Sequence, residues 1–165
     1  MKKVNLFIGC LVALLIIYQP ASISQDWPQW RGINRDCKVT GFKTPATWPE
    51  ELKQEWKVTV GYSDATPLLS GNKLYLNTRQ ADQEVILCLD AATGKELWRN
   101  SYPSIAVTGP SASQHPGPRG TPAISNGKIV TFGAAGIISC LEAETGKLLW
   151  RKESPSNAFP AFFTG

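Results

Sequence analysis

Residues 85–99, VILCLDAATGKELWR, return 52 positions later as residues 137–151, IISCLEAETGKLLWR. Leu89, Ala91, Thr93, Gly94, Lys95, Leu97, Trp98 and Arg99 recur as Leu141, Ala143, Thr145, Gly146, Lys147, Leu149, Trp150 and Arg151. A period of this length restricts the chain to an array of small β units, each burying its apolar face against the next.

In each copy a short β-branched and leucine-rich run reads as one strand. Asp90 to Lys95 reads as a turn, in which Asp90 can accept main-chain N–H groups and Gly94 can take positive φ. Lys95 to Asn100 then reads as the returning strand. It sets Trp98 at a fixed distance from the turn, where an indole buries a large area and needs a partner for its N–H. Regular recurrence of that Trp implies docking between neighbouring units. Trp150 and Gly146 hold the same places in the second copy.

The repeat extends upstream. Thr66 to Tyr75 aligns with Thr121 to Val130, each giving a short strand, a Gly/Asn turn and a second strand (Lys73–Asn77, Lys128–Phe132). One unit is therefore four short antiparallel strands. The predicted fold class is all-β, a β-propeller of four-stranded blades with about two blades present.

Residues 1–24 read as a secretory signal peptide: Lys2 and Lys3, an apolar run from Val4 to Tyr18, Pro20, then small residues, with cleavage expected after Ser24. The run is short for a membrane span, so no transmembrane domain is expected after signal removal. Phe7 and the apolar residues beyond Cys10 argue against a lipoprotein site at Cys10. The expected location is periplasmic or extracellular. Removal takes two of the 17 Lys and Arg residues and none of the 13 acids, leaving a formal +2. With no basic run, nucleic acid is not an expected partner.

Residues 25–54, rich in Trp, Pro and Gly, read as an irregular wrap that packs its indoles onto the body. A sugar-binding aromatic platform is the sharper alternative. Residues 55–60, around Trp56, resemble the Trp-bearing last strand without a hairpin partner. Such an orphan would close a ring and remove its open edge. Residues 62–100 form the first blade, 101–120 a Pro/Gly/Ser-rich loop, 121–152 the second blade, and 153–165 the start of another connection. The partial propeller thus covers 55–165. A closed propeller has roughly four to eight blades, so the chain is expected to be the N-terminal part of a longer protein, poorly stable alone, with the remaining blades as partners.

Cys88 and Cys140 occupy equivalent places in successive blades and are expected to be free and buried. Cys37, in the wrap, is a candidate reactive thiol. One His and no CxxC give no metal site. Nucleotide-binding and nucleophile-elbow motifs are absent. The weak candidates for ligand binding are Arg79, in a predicted 78–83 loop, with His115 and Arg119 from the long loop. Loops of these two kinds open on one face of a propeller, and guanidinium groups suit an anion. The plainer reading is solvated loop polars. Asp90, Gly94, Trp98, Gly146 and Trp150 are assigned structural roles in the repeat.

The repeat resembles the pyrroloquinoline quinone (PQQ) repeat family, whose hallmark Leu-Asp-Ala-x-Thr-Gly-Lys-x-x-Trp stands at Leu89–Trp98 and, with Glu for Asp, at Leu141–Trp150. Asp26-Trp-Pro-Gln-Trp-Arg-Gly and Asn34-Arg-Asp resemble the start of secreted bacterial members, where Gly commonly follows in place of Cys37. The resemblance implies the propeller. It implies either of two functions, because the same fold serves quinoprotein alcohol dehydrogenases and the non-enzymatic outer-membrane assembly lipoprotein BamB. In the dehydrogenases a quinone and calcium sit over the propeller centre with a catalytic Asp, often near adjacent cysteines. No Cys-Cys pair occurs here, and no catalytic residue carries over. No cofactor is identifiable from this chain, and PQQ with calcium would belong to a full-length enzyme. The preferred expectation is a binding or scaffolding role among envelope proteins. The alternative is a fragment of a PQQ- and calcium-dependent alcohol dehydrogenase.

Overall fold

The computed structural model describes residues 25–104 and 114–153. Eight strands form two four-stranded antiparallel sheets. The first holds β1 (Leu68–Ser70), β2 (Lys73–Gln80), β3 (Gln83–Asp90) and β4 (Glu96–Pro103) in that order. The second holds β5 (Ala123–Ser125), β6 (Lys128–Phe132), β7 (Ile138–Glu142) and β8 (Leu148–Lys152). The fold is all-β, and each sheet is a simple meander.

The turn chemistry explains why the motif reverses the chain. Asp90 Oδ1 accepts from the Thr93 hydroxyl (2.7 Å) and from the N–H groups of Thr93 (2.8 Å) and Ala92 (3.1 Å). These bonds, the hydroxyl first, hold the Asp90 carboxyl below its ordinary pKa. Gly94 follows at φ 71°, a conformation costly for other residues. In the second copy Glu142 accepts from the Thr145 hydroxyl (2.9 Å). Its extra methylene leaves that bond in place without the main-chain set, and Gly146 again has φ 71°. Both sheets carry a bulge one step before the turn, between Cys88 and Leu89 and between Cys140 and Leu141.

The core lies between the sheets. Leu68, Tyr75, Ile86 and Cys88 of the first pack against Ile129, Leu141 and Ala143 of the second. Burial pushes the Cys88 thiol up to about 11 and raises the Tyr75 phenol. Cys37, Cys88 and Cys140 are free thiols.

The innermost strands are joined by the N-terminal segment. Trp27 exchanges both main-chain hydrogen bonds with Leu69 (2.7 and 3.1 Å), and Ile124 N–H donates to Pro28 O (2.8 Å). The rest of the wrap departs from expectation. Trp30 and Trp48 are exposed, and Trp48 stacks on Phe42 (centroids 6.3 Å, planes at 24°) instead of on a sheet. Cys37 has φ 60°, in the left-handed region that favours Gly. Residues 55–60 join no ladder. Residues 1–24, residues 105–113 of the 101–120 loop and residues 154–165 of the last connection lie outside the described residues, and residues 101–103 belong to β4.

Candidate functional site

The structure concentrates its specific chemistry where one sheet meets the next. Trp98, on β4, donates its indole N–H to Ala143 O of the second sheet (3.0 Å). Its ring covers Gly146 so closely that a Cβ there would lie 2.6 Å from Cδ2. Trp56 repeats the arrangement one unit earlier. It donates to Ala91 O (3.1 Å), and a Cβ on Gly94 would lie 2.6 Å from its Cε3. The Ala and Gly shared by both turns thus receive the preceding Trp, the Ala through its carbonyl and the Gly through its missing side chain.

Beside this apolar half lies a buried polar row. Register places Arg79, Glu84 and Tyr102 side by side on the face of the first sheet that meets the second. Glu84 is fully buried and accepts from the Tyr102 hydroxyl (2.5 Å), the Ser104 hydroxyl (3.0 Å) and, across the junction, Ala134 N–H (2.7 Å). Gly133 makes room for it, since a Cβ there would strike the carboxylate and come 2.6 Å from the Tyr102 hydroxyl. Arg151 of β8 lies over the Tyr102 ring (3.8 Å), donates to Asn100 Oδ1 (3.1 Å) and is steadied by Ser139 (2.8 Å). Burial lowers the Arg151 pKa, and burial first, then the Glu84 charge, raises that of Tyr102. A buried carboxylate with three donors is well satisfied, whereas one stripped of them would be costly.

The three ligand-binding candidates separate. Arg79 lies within β2 and not in a loop, because the turn is only Ala81–Asp82. It is 4% exposed, its Nη2 donates to Ser104 O (3.1 Å), and Nη1 has no protein partner. His115 and Arg119 do come together, around Asp64. The His115 Nδ1 to Asp64 Oδ1 distance is 3.0 Å, and Arg119 Nε lies 3.9 Å from Oδ2. The interposed carboxylate makes this a mixed-charge cluster, not a bare anion cradle. Calcium takes about six to eight oxygen ligands, and among the described residues no three His, Cys, Asp or Glu side chains could hold a metal ion. The described residues on their own therefore supply no such carboxylate set for calcium.

Sequence reasoning missed Glu84, Tyr102, Arg151 and Asp64. The available signal for Glu84 was an acid opening the run Val85–Leu89, a place where only a paired carboxylate is buried.

A PQQ-repeat family model, described as outer membrane protein assembly factor BamB, matches residues 81–163. The chain belongs to this PQQ-repeat family. Its relatives include the dehydrogenase subunit of a quinone alcohol dehydrogenase from Gluconacetobacter polyoxogenes, 38% identical over 40% of this chain and 10% of the relative. Quinohemoprotein alcohol dehydrogenase ADH IIB from Pseudomonas putida is 33% identical over 50% of this chain and 11% of the relative. The PQQ-repeat chain thus spans about a tenth of the length of the curated relatives it matches. Among solved structures, the quinohemoprotein alcohol dehydrogenase of Comamonas testosteroni covers 88% of this chain, with 22% of its own, at TM-score 0.53 and 19% identity. That likeness shows the fold, two blades of a β-propeller. BamB from Moraxella catarrhalis covers 63% of this chain, with 30% of its own, at TM-score 0.45 and 25% identity.

Proposed function

We propose that the protein is a secreted or periplasmic PQQ-like β-propeller with a binding or scaffolding role in the cell envelope, and that further repeat units complete its ring. The observation that carries this reading is the use to which the motif side chains are put. Asp90 shapes a turn, Gly94 and Gly146 receive indoles, Trp56 and Trp98 dock, and Arg151 covers Tyr102. All serve to shape a turn or to stack one unit on the next. The charged and apolar start of residues 1–24 supports export.

A second reading is favoured by the relatives, which include quinone alcohol dehydrogenases at 33–38% identity. On that reading the chain contributes blades to a PQQ- and calcium-dependent enzyme, and His115, Arg119 and Asp64 lie at a mouth whose remaining walls come from other units.

Calorimetric titration of PQQ with calcium into the folded protein, with its further repeat units present, separates the two. The binding reading expects no heat of complex formation. Tight, calcium-dependent binding overturns it in favour of the dehydrogenase.

A further inference from the structure

Three buried polar atoms at the junction of the sheets have no hydrogen-bond partner among the described residues: Asn77 Oδ1, Arg79 Nη1 and Thr131 Oγ1. Their residues are 1, 4 and 1% exposed, so bulk solvent does not serve them. Such atoms are rare in folded proteins, because a buried donor or acceptor left unpaired forfeits the bonds it made to water.

The fold gathers all three. Asn77 and Arg79 are two residues apart on β2 and share one face, the face that carries Glu84 and Tyr102 towards the second sheet. Thr131 follows Ile129 by two residues on β6, so it shares the face on which Ile129 enters the core. Asn77 Nδ2 donates to the carbonyl of Phe132, the residue after Thr131 (3.2 Å). That bond brings the Asn77 amide against β6 beside Thr131 and leaves Oδ1 as its acceptor.

The chemistry of the three atoms selects what can join them. Asn77 Oδ1 only accepts, Arg79 Nη1 only donates, and the Thr131 hydroxyl does both. An anion would suit Arg79 but would face Oδ1 and lie near the Glu84 carboxylate, which register sets opposite Arg79. A cation would meet the guanidinium. A neutral molecule that both donates and accepts satisfies the whole set. Water is the one that suits a closely packed interior, where it takes about two to four polar partners.

We propose that the polar half of the junction is a binding site for buried water. One water donates to Asn77 Oδ1 and bonds the Thr131 hydroxyl, joining β2 to β6 through side chains that do not bond each other, and Arg79 Nη1 is the donor at the far end of the same row. The junction is then apolar at its Trp98 end and hydrated at its Asn77 end.

Thr131→Val tests the site, because it removes the hydroxyl and keeps the branched shape. An unpaired buried hydroxyl is better lost, so without the water this variant is more stable than wild type. With the water it breaks a bond, and the unfolding equilibrium constant is expected to rise about threefold to tenfold. Nuclear Overhauser cross-peaks between long-lived water protons and the Asn77 side-chain amide are recorded beside it. They are expected in the folded wild type and in Thr131→Ser, which keeps the hydroxyl, and are expected to be lost in Thr131→Val. A Thr131→Val protein as stable as wild type or more so overturns the proposal. So does a folded wild type without the cross-peak, or a cross-peak that Thr131→Val leaves undiminished. Should Thr131→Val not fold, the wild-type and Thr131→Ser spectra decide: the cross-peak in both supports the site, and its absence from either overturns it.

Discussion

Trp98 and Gly146 meet across the two sheets as ring and socket, with 2.6 Å between the indole Cδ2 and the place a Cβ would occupy. Gly146 also has φ 71°. Gly146→Ala therefore has to take a left-handed conformation and displace the indole together. The expected loss is about 1–3 kcal/mol from the backbone conformation alone, with overpacking adding to it. Chemical denaturation reads it as a lower midpoint, and Trp98 fluorescence should shift towards that of an exposed indole.

Trp98→Phe separates area from hydrogen bonding. The ring remains, but Ala143 O loses the indole donor at 3.0 Å and keeps the Tyr75 hydroxyl at 3.2 Å. Because one donor survives, the expected cost is about 0.5–1.5 kcal/mol. A loss several times larger would mean that ring size, not the bond, sets the junction.

Glu84 ties both sheets through one carboxylate. Glu84→Ala removes the acceptor of the Tyr102 and Ser104 hydroxyls and of the Ala134 N–H, for an expected cost of about 1–3 kcal/mol per group that finds no other partner. Glu84→Gln keeps the shape and one acceptor oxygen, so it should fall between Ala and wild type. Gly133→Ala should resemble Glu84→Ala, because its methyl group would sit where the carboxylate lies. The double variant should cost less than the sum of the two, as residues that share an interaction do not add. Denaturation midpoints of the four variants against wild type test this.

Alkaline pH should loosen the junction from the apolar side. The Cys88 thiol rises from its ordinary 9.0 to about 11 on burial. The unfolded chain therefore releases this proton first. Stability is intact below about pH 9, then falls as pH rises towards 11, since the folded state holds more protons there. The buried Tyr75 and Tyr102 phenols, also raised, extend the fall upward. Cys88→Ser should remove the earliest part of the decline, measured as denaturation midpoint against pH.

The repeat made the blades legible in sequence because each local choice is made twice. The acid, the Gly and the Trp recur at fixed spacing, and β6 has the predicted bounds Lys128–Phe132. Arg79 was less legible. Thr78, Arg79 and Gln80 read as the start of a 78–83 loop, yet β2 continues past Asn77 because each of these three side chains has a partner: Val85 O, Ser104 O and Val60 O. The Glu84–Tyr102–Arg151 row was out of reach because it occurs once and joins residues from both sheets, so no period announces it. Asp64 was missed for a similar reason, its His115 contact lying 51 residues away.

The central claim is that each Trp of the repeat docks on the turn of the unit after it. Indole N–H exchange, followed residue by residue in the 165-residue chain, tests it most directly. Trp56 and Trp98 should be protected and Trp150 should exchange freely. Equal, rapid exchange at Trp98 and Trp150 in a folded chain would contradict the account.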